Sequence, residues 1–442
     1  MVTKFDKDNS KVNFILESLG YLPKNYKGDW LFKFTQHENY KVRMSAIKNI
    51  GKLKLNGEIE ILYKLFTTET RTEIKREIIS SIGRQRNIES KDFLIATLKD
   101  KDPKIVSQAI RALLVFKGNI EITNELKKLR NHKNEMIQSV IEKEFFSKNS
   151  SDSTLHHTET FEFLKNTIVH GDVLEVLKSV PDESIHLTFT SPPYYNARDY
   201  SIYPSYQDYL FFLDEVFKAV HRVTKEGRFL LINTSPIIIP RISRQHSSKR
   251  YPIPFDLHHY IVNAGWEYID DIIWLKPETS VKNRVGGFQQ HRKPLGYKPN
   301  TVTEMIMVYR KQTTKLIDWN IRQYPKEIVE KSKVANGFET SNVWEIDPTY
   351  NRNHTAVFPV ELCKKVIEYY SFKGDLVFDP FGGSGTFGRA AKSLNRLFFL
   401  TELNDDYFEY MKSTKKSNSL FNEYETKFLE IEEFNKIAND TN

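Results

Sequence analysis

Apolar residues recur at helical spacing throughout the first 150 residues. Four segments share one pattern and can be superimposed: residues 41–51, 73–83, 104–114 and 135–145. Their second position holds Val42, Ile74, Ile105 and Met136, at intervals of 32, 31 and 31 residues, and their sixth holds Ala46, Ile78, Ala109 and Val140. Helix pairs that repeat at this period stack into a solenoid, in which each pair covers a face of the next. We therefore predict an all-α solenoid domain over residues 1–146.

The pattern changes after a polar, linker-like stretch over residues 147–160. Beyond it, short β-rich runs alternate with helical ones. Strands separated by helices are typical of a parallel, doubly wound sheet, so we predict an α/β domain over residues 161–415. Residues 276–350 interrupt the alternation with Gly, Pro and basic residues and are expected to form an inserted region. Residues 416–442 are expected to form a charged C-terminal tail.

Positive charge is concentrated in two parts of the chain. The formal net charge is +8, and residues 1–150 hold 29 Lys and Arg against 19 Asp and Glu. The rest of the chain holds 36 against 38, although residues 276–335 alone hold 13 against 5. A basic excess favours a polyanionic partner, because each neutralised phosphate releases counterions. It is also compatible with a merely soluble lysine-rich surface.

Composition excludes several classes of protein. The longest apolar runs are far too short to span a bilayer. The first residues lack the apolar core and small residues of a secretory signal. The single cysteine, Cys363, excludes an internal disulfide framework and a cysteine-based zinc site, and its helical surroundings indicate a packing role. We expect a cytoplasmic protein with no membrane contact and no metal.

The strand-like run before residue 191 ends in the motif Ser191-Pro192-Pro193-Tyr194. Two successive prolines remove two N–H donors, so the nearby carbonyls have no neighbouring donor competing for them. The Ser191 hydroxyl and the Pro192 carbonyl can then both accept from one NH2 group, and Tyr194 offers a flat face for a base. Strand ends in open α/β sheets are also where ligands bind. Taken alone, the motif also fits a turn that only terminates the strand, although amine binding is the favoured interpretation.

A second strand runs into Asp379 and a glycine-rich turn, which leads into a helix at about Thr386. Such a turn lets a ligand approach the backbone closely, and the helix N-terminus favours a carboxylate or phosphate group. The next strand ends in Glu402, about twenty residues after the glycines, where an acid usually binds ribose hydroxyls. A generic turn and a surface acid would show the same residues. The order of strand, loop, helix, strand and acid favours nucleoside binding.

The segments TSPPYY and DPFGGSGT resemble the catalytic and cofactor motifs of the DNA amino-methyltransferases. Their order, with the catalytic motif first, resembles that of the beta group of this family. The resemblance covers about residues 161–412 and includes IVHGDVLEVL and NHTAVFPVELCKKVI. It implies a Rossmann-like fold and S-adenosylmethionine as cofactor. Separately, HENYKVRMSAIKNIG and KDKDPKIVSQAIRALL resemble HEAT repeats, which are not part of the usual family pattern.

The resemblance also implies roles for individual residues. Those expected to hold the cofactor or to complete its pocket are Asp172, His354, Phe358, Asp379, Phe381, Gly383, Ser384, Gly385, Thr386 and Glu402. Asp172 equally suits a cap for the helix that follows it. The residues of the motif Ser191 to Tyr194 are expected to hold the target amine and its base.

Methylation of a cytosine ring carbon requires a cysteine nucleophile, by what is known of that related family, and the sequence has no Pro-Cys motif. Direct transfer to an exocyclic nitrogen of a base flipped out of duplex DNA is therefore expected. In the family, Ser at the first motif position is commoner among cytosine-N4 enzymes than among adenine-N6 enzymes. Cytosine N4 is thus the expected target, and adenine N6 the alternative.

Recognition of the DNA sequence is assigned to the inserted region, whose cations can reach phosphates or guanine edges: Lys282, Arg284, Arg292, Lys293 and Lys298. Each of these residues also suits a solvated loop. The expected partners are double-stranded DNA and a cognate restriction endonuclease. Two different functions compete with this hypothesis: methyl transfer to RNA or to protein amide nitrogens, and an inert domain on a binding scaffold.

Overall fold

The computed structural model describes residues 9–19, 27–55, 59–146, 156–195, 203–239, 243, 245–246, 248–351, 354–417 and 426–441. Of the predicted linker, only residues 156–160 fall within these ranges. The chain divides into two compact units, residues 1–150 and 151–442. Within the described ranges, no helix combines the length and apolarity needed to cross a bilayer.

The first unit is helical throughout its described residues. Its α-helices are α1 (Asn9–Ser18), α2 (Leu31–Phe34), α3 (Tyr40–Leu53), α4 (Ile59–Thr68), α5 (Thr72–Gln85), α6 (Lys91–Thr97), α7 (Pro103–Leu113), α8 (Ile120–Lys127) and α9 (Glu135–Phe145). Polar side chains that precede several helices accept from their free N–H groups, as Asn39 does for α3 and Asp102 for α7. These caps explain why the helices begin where they do.

One close contact recurs between successive helices of the superimposed segments. A Cβ atom added to Gly51 of α3 would lie 2.6 Å from Ser81 of α5, and one added to Gly83 of α5 would lie 2.7 Å from Ala112 of α7. Small residues at matching positions therefore let α3, α5 and α7 approach closely, one after another. The sequence repeat corresponds to a repeated packing contact.

The fourth superimposed segment is one residue out of step with this packing. Met136 and Val140 of α9 align with buried residues of the first three segments but are 66% and 37% exposed. Ile137 and Ile141 are buried in their place. Spacing alone could not separate these adjacent apolar positions, because the face of α9 that meets its neighbours decides which pair is buried.

The second unit is built around one nine-stranded sheet. Its strands are β1 (Thr167–His170), β2 (Ile185–Thr190), β3 (Thr224–Thr234), β6 (Trp266–Leu275), β7 (Thr303–Lys311), β8 (Val343–Glu345), β11 (Leu376–Asp379), β12 (Leu397–Glu402) and β13 (Lys427–Glu430). Two small hairpins pair β4 (Ile237–Ile239) with β5 (Lys249–Tyr251), and β9 (Thr349–Asn351) with β10 (His354–Val357). The order in the large sheet is β13-β1-β12-β11-β2-β3-β7-β6-β8.

Helices cover both faces of this sheet and enclose two hydrophobic clusters. One face carries α10 (Val173–Lys178), α11 (Tyr206–Val223), α12 (Ile253–Asn263) and α19 (Ile431–Thr441). The other carries α16 (Val360–Tyr370), α17 (Thr386–Ser393) and α18 (Asp405–Ser417). The remaining helices are α13 (Gly286–His291), α14 (Ile317–Arg322) and α15 (Lys326–Lys331). Cys363 is buried in α16, as expected of a packing residue.

The sheet is mixed, and the expectation of a purely parallel one was wrong. Strand β7 is antiparallel to both of its neighbours, β3 and β6. The segment between β6 and β7 contains a 3-10 helix (Glu278–Ser280) and the short α13, and the chain re-enters the sheet at the edge where β6 ends. A parallel neighbour usually requires a helix that crosses back along a face of the sheet, and α13, with 6 residues, is too short to do so.

Two further boundaries differ from expectation. The range 276–350, predicted as an insertion, contains β7, which lies in the middle of the sheet. The range 416–442, predicted as a tail, contributes the edge strand β13 and the helix α19, whose Phe434 is fully buried. The β7 sequence is apolar and typical of a strand, but the Gly, Pro and basic residues around it placed it inside the predicted insertion. The sequences of β13 and α19 are short and charged, with few apolar residues, and therefore resemble a tail.

Candidate active site

The two motif-bearing strands lie side by side in the sheet. Strands β2 and β11 are parallel neighbours, with Phe378 opposite Thr188. At their carboxyl ends, the Thr190 hydroxyl donates a hydrogen bond of 2.6 Å to Oδ1 of Asp379. The motif Ser191–Tyr194 and the glycine loop, nearly two hundred residues apart in the chain, therefore leave the sheet at adjacent positions. Ligands bind at this edge in open α/β sheets.

The glycine loop adopts a backbone that requires glycine. Gly383 and Gly385 have φ values of +52° and +73°, and Gly385 directly precedes α17. The Gly383 N–H donates to a carboxylate oxygen of Glu402 at 2.7 Å, which ties the loop to the end of the neighbouring β12. A Cβ on Gly383 would meet nothing closer than 3.8 Å, so the loop leaves open space on that side.

Two buried carboxyl groups face this loop without a basic partner. Burial raises the pKa of Asp379 to about 7, against hydrogen bonds from Thr190 and the Phe381 N–H that lower it. Burial also raises the pKa of Glu402, although backbone N–H groups of Asn404 and Gly383 hydrogen-bond to it. Among the described residues, no Lys or Arg forms an ion pair with either group. Such a site favours a ligand that brings positive charge and hydroxyl donors.

The loop is braced by an arginine that the sequence did not single out. Arg389 of α17 donates to the Ser384 carbonyl at 2.6 Å and to the Thr386 hydroxyl at 3.0 Å. The hydroxyls of Ser384 and Thr386 lie 2.9 Å apart. These two predicted residues thus take part in the architecture of the loop. The only sequence signal was a basic residue one turn into the helix that follows the glycines.

The hydroxyl of Tyr194 is held at the end of β2. It donates to Oε2 of Glu304 at 3.4 Å, and the hydroxyls of Ser191 and Ser235 are hydrogen-bonding partners of the same group. Burial raises the pKa of Tyr194, and the charge of Glu304 raises it further. The ring remains partly exposed. Pro192 is buried, and Pro193 is partly exposed.

Glu304 was missed by sequence reasoning. It lies at the start of β7, where the antiparallel direction of the strand brings it to the carboxyl edge of the parallel strands. Besides Tyr194, it accepts from Nδ2 of Asn233 at 2.6 Å and forms an ion pair with Lys276. The sequence signal was an acid at the start of an otherwise apolar strand, inside a basic stretch.

Asp172 and Phe358, which are also predicted to complete the cofactor pocket, make different contacts. Asp172 caps α10, accepting from Leu174 N at 2.9 Å and from Glu175 N at 3.3 Å, so it fills the capping role that its position also suited. Phe358 stacks on Phe189 of β2 with ring centres 4.7 Å apart. His354 belongs to β10, and its side chain lies outside the described part of the chain.

The predicted DNA-contacting cations lie between β6 and β7. Lys282, Arg292, Lys293 and Lys298 are exposed, whereas Arg284 is half-buried and donates to the Thr301 hydroxyl at 2.6 Å. An open groove of about 900 Å³ runs from Lys276 along this segment, and Gln289, Tyr297 and Asn300 line it. The segment therefore offers solvent-facing positive charge beside a groove of mixed polar and apolar lining.

Comparison with known proteins places these features in a family. A family model described as DNA methylase matches residues 185–413. The Type II beta methyltransferase M.BslI of Bacillus sp. (strain NEB-606) is 30% identical over 261 residues, covering 55% of this chain and 26% of that protein. The DNA adenine methyltransferase YhdJ of Escherichia coli (strain K12) is 29% identical over 258 residues, covering 55% of this chain and 80% of that protein.

Among solved structures, a putative DNA modification methylase from Thermus thermophilus, complexed with S-adenosyl-L-methionine, is 27% identical with a TM-score of 0.49. The alignment covers 60% of this chain and 98% of the other. The chain thus spans about a quarter of M.BslI but nearly all of this solved chain.

Proposed function

We propose that this chain, which belongs to the N6_N4_Mtase family of DNA methylases, transfers a methyl group from S-adenosylmethionine to the N4 amine of cytosine in duplex DNA. The observation that carries the proposal is the adjacency of β2 and β11, which brings the amine-binding motif and the glycine loop to one edge of the sheet. The Thr190–Asp379 hydrogen bond joins the two strand ends directly.

The residues at the glycine loop fit S-adenosylmethionine by their chemistry. When bound, this cofactor supplies an electrophilic methyl group on a positively charged sulfonium. Glu402 offers carboxylate lone pairs to ribose hydroxyls. The raised pKa of Asp379 indicates a buried acid without a cation, and a cationic ligand nearby would relieve that condition. Phe381 follows Asp379 by two residues and, like Phe358, is only partly buried, so both rings offer apolar surface to a bound cofactor.

The motif Ser191–Tyr194 binds the amine and orients it. An aromatic amine is a weak nucleophile, because its lone pair is delocalised into the ring. Acceptance of its hydrogens by the Ser191 hydroxyl and the Pro192 carbonyl favours a tetrahedral nitrogen, whose lone pair points out of the ring plane. The contribution is positioning with electrostatic support, rather than proton abstraction by a strong base.

The target base has to leave the duplex to reach this edge. Extrusion costs a few kcal/mol of stacking and pairing energy, and stacking on the partly exposed ring of Tyr194 offsets part of it. The exposed cations Lys282, Arg292, Lys293 and Lys298 then contact the duplex backbone or guanine edges. Adenine N6 is the second candidate target, since YhdJ, a relative of similar identity, is a DNA adenine methyltransferase.

Incubation with tritiated cofactor and unmethylated plasmid DNA, followed by nucleoside analysis, tests the proposal. We expect N4-methylcytosine, whereas N6-methyladenine would select the second candidate. A Ser191→Ala, Tyr194→Ala double variant should lose at least about a hundredfold in rate while keeping its cofactor affinity. Full activity of that variant would show that the amine is held elsewhere.

We assign DNA contact to the N-terminal helical unit as well, as a HEAT-like repeat array. The basic balance of residues 1–150 and the repeated contacts of Gly51 and Gly83 support this assignment. Deletion of residues 1–150 should weaken duplex affinity and flatten its dependence on salt, as measured by fluorescence anisotropy. If the duplex affinity and its dependence on salt were the same with and without residues 1–150, the helical unit would not contact DNA.

A further inference from the structure

Asn233 carries a buried hydrogen-bond acceptor that nothing in its surroundings satisfies. The residue lies near the end of β3, and its exposed fraction is 1%. Its Nδ2 donates to Glu304 at 2.6 Å, but its Oδ1 finds no donor among the residues that the structure describes. Buried polar atoms nearly always have a partner, so an exception calls for an explanation such as a ligand.

Glu304 fixes the direction in which this amide points. A carboxylate in an ion pair, as Glu304 is with Lys276, only accepts hydrogen bonds. The amide nitrogen of Asn233 must therefore face Glu304, and the amide oxygen must face away from it. The amide cannot flip to satisfy its oxygen without placing two acceptors against each other.

The same carboxylate sets the direction of the hydrogen bonds at Tyr194. The single phenolic proton goes to Oε2 of Glu304, so the Ser191 hydroxyl can only donate towards the Tyr194 oxygen. The lone pairs of Ser191 then remain free to accept. The Glu304 carboxylate thus orients two hydrogen-bond acceptors, the hydroxyl oxygen of Ser191 and Oδ1 of Asn233.

These two acceptors leave the sheet side by side. The register pairs Thr190 with Ile232, so Ser191 and Asn233 are the next residues on adjacent strands. Both Tyr194 and Asn233 donate to the same oxygen of Glu304, which keeps the catalytic motif and the end of β3 together. The unsatisfied oxygen is therefore part of the amine-binding edge.

We infer that Oδ1 of Asn233 accepts a hydrogen bond from the target amine, with Glu304 as the positioning residue that aims it. The Ser191 hydroxyl accepts one amine hydrogen, and Asn233 shares the other with the Pro192 carbonyl in a three-centre bond. The inference rests on the proposed function and extends it to substrate selection. A base that presents NH2 at this point supplies the missing donor, as cytosine and adenine do. A base that presents a carbonyl oxygen there, such as thymine, would place two acceptors in contact and be excluded.

Two variants test this inference in the full-length chain. Asn233→Ala removes the acceptor, and Glu304→Gln keeps the size of the side chain but permits it to donate to Asn233, so the amide can turn. We expect each to slow single-turnover methylation of unmethylated plasmid DNA by about tenfold or more, with unchanged affinity for S-adenosylmethionine. Glu304→Gln also alters the hydrogen bonds at Tyr194 and Ser191, but it already lets the Asn233 oxygen turn away. Adding Asn233→Ala to Glu304→Gln should therefore slow the reaction little further.

Asn320→Ala serves as the matched control. Asn320 is also a buried asparagine, but its Oδ1 accepts from Arg310 and its Nδ2 donates to the Glu226 carbonyl. We expect this variant to be less stable to heat and to methylate at the wild-type rate per folded molecule. A loss of rate equal to that of Asn233→Ala would reduce the effect of Asn233 to general destabilisation and overturn the inference.

The outcomes separate the inference from the function beneath it. If the wild-type chain methylates DNA and Asn233→Ala is equally fast, the inference fails and the proposed function stands. If the effects of Asn233→Ala and Glu304→Gln multiply, Glu304 does not act through Asn233. A wild-type chain that methylates no base would overturn both. Should Asn233→Ala fail to fold, Asn233→Leu gives the same test, because it keeps about the volume of the side chain but removes the acceptor.

Discussion

Asp375 and Asp379 lie at opposite ends of β11, and both carboxyl groups are almost fully buried. Asp375, at the amino end, forms an ion pair with Arg228 and accepts from the Tyr324 hydroxyl at 2.5 Å. Burial would raise the pKa of Asp375, but Arg228 and His186 hold it below its usual value. Asp379, at the carboxyl end, forms no ion pair with any residue that the structure describes, and burial raises its pKa to about 7.

The difference between the two ends of the strand separates stability from function. At the amino end, the polar groups satisfy one another: Arg228 also donates to the His186 carbonyl, and His186 accepts from Leu376 N. At the carboxyl end, two acids lack a cation and Asn233 Oδ1 lacks a donor among the described residues. We call the amino end of β11, where these partners satisfy one another, the closed end, and the carboxyl end the open end. In the proposed function, the cofactor and the target base supply the partners that the open end lacks.

The largest expected effect comes from breaking the closed end. Arg228→Met leaves the Asp375 carboxylate buried without its partner, which should lower the free energy of unfolding by about 3–5 kcal/mol. Methylation per folded molecule should persist, since Arg228 lies at the far end of the strands. Chemical denaturation followed by near-ultraviolet circular dichroism gives the stability, and the plasmid assay gives the rate.

Two further variants control that result. Adding Asp375→Asn to Arg228→Met removes the uncompensated buried charge and should recover part of the lost stability.

At the open end, Glu402→Gln should leave stability nearly unchanged but weaken cofactor binding by about tenfold or more, as titration calorimetry would measure. If Arg228→Met abolished cofactor binding in the folded protein, or Glu402→Gln unfolded it, the division between the two ends would be lost.

The open end could be predicted largely from sequence, and the reason is local. Ser191–Tyr194 and Asp379–Thr386 are continuous motifs at strand ends, so the topology of a doubly wound sheet was enough to bring them together. Glu304 could not be found in this way. Its partners Asn233 and Tyr194 are 71 and 110 positions away, and they meet only because β7 runs antiparallel.

The closed end was invisible to sequence reasoning for a similar reason. Asp375, Arg228 and Tyr324 come from three separate segments, and none belongs to a recognisable motif.

In the helical unit, too, the sequence predicted less than the packing determines. The period of the repeat predicted which helices stack, but only the packing of α9 could choose Ile137 over Met136 for the core.

The smallest expected effect is a difference in pH dependence between the two ends. Burial, with the nearby charge of Arg228, lowers the pKa of both His157 and His186 to about 3, below the ordinary value of 6.5. The unfolded chain therefore binds more protons than the folded one between these values, so their contribution to stability is lost as pH falls from 6.5 towards 3. Asp379 behaves oppositely. Its pKa is raised from 3.8 to about 7, so its contribution is lost as pH rises through that interval.

Asp379→Asn isolates the open end, because asparagine keeps an oxygen that can accept from Thr190 and from the Phe381 N–H. Above pH 7 the variant should be more stable than wild type, since no buried charge has to form. The advantage should shrink as pH falls from 8 to 5.5, by at most about 1.4 kcal/mol per pH unit for one proton. Denaturant unfolding at these pH values measures this difference in stability. At the closed end, His186→Gln should instead reduce the loss of stability that occurs as pH falls from 6.5 to 5. An advantage of Asp379→Asn that stayed constant with pH would mean that Asp379 remains charged in the folded protein, and hence that both ends of β11 are closed.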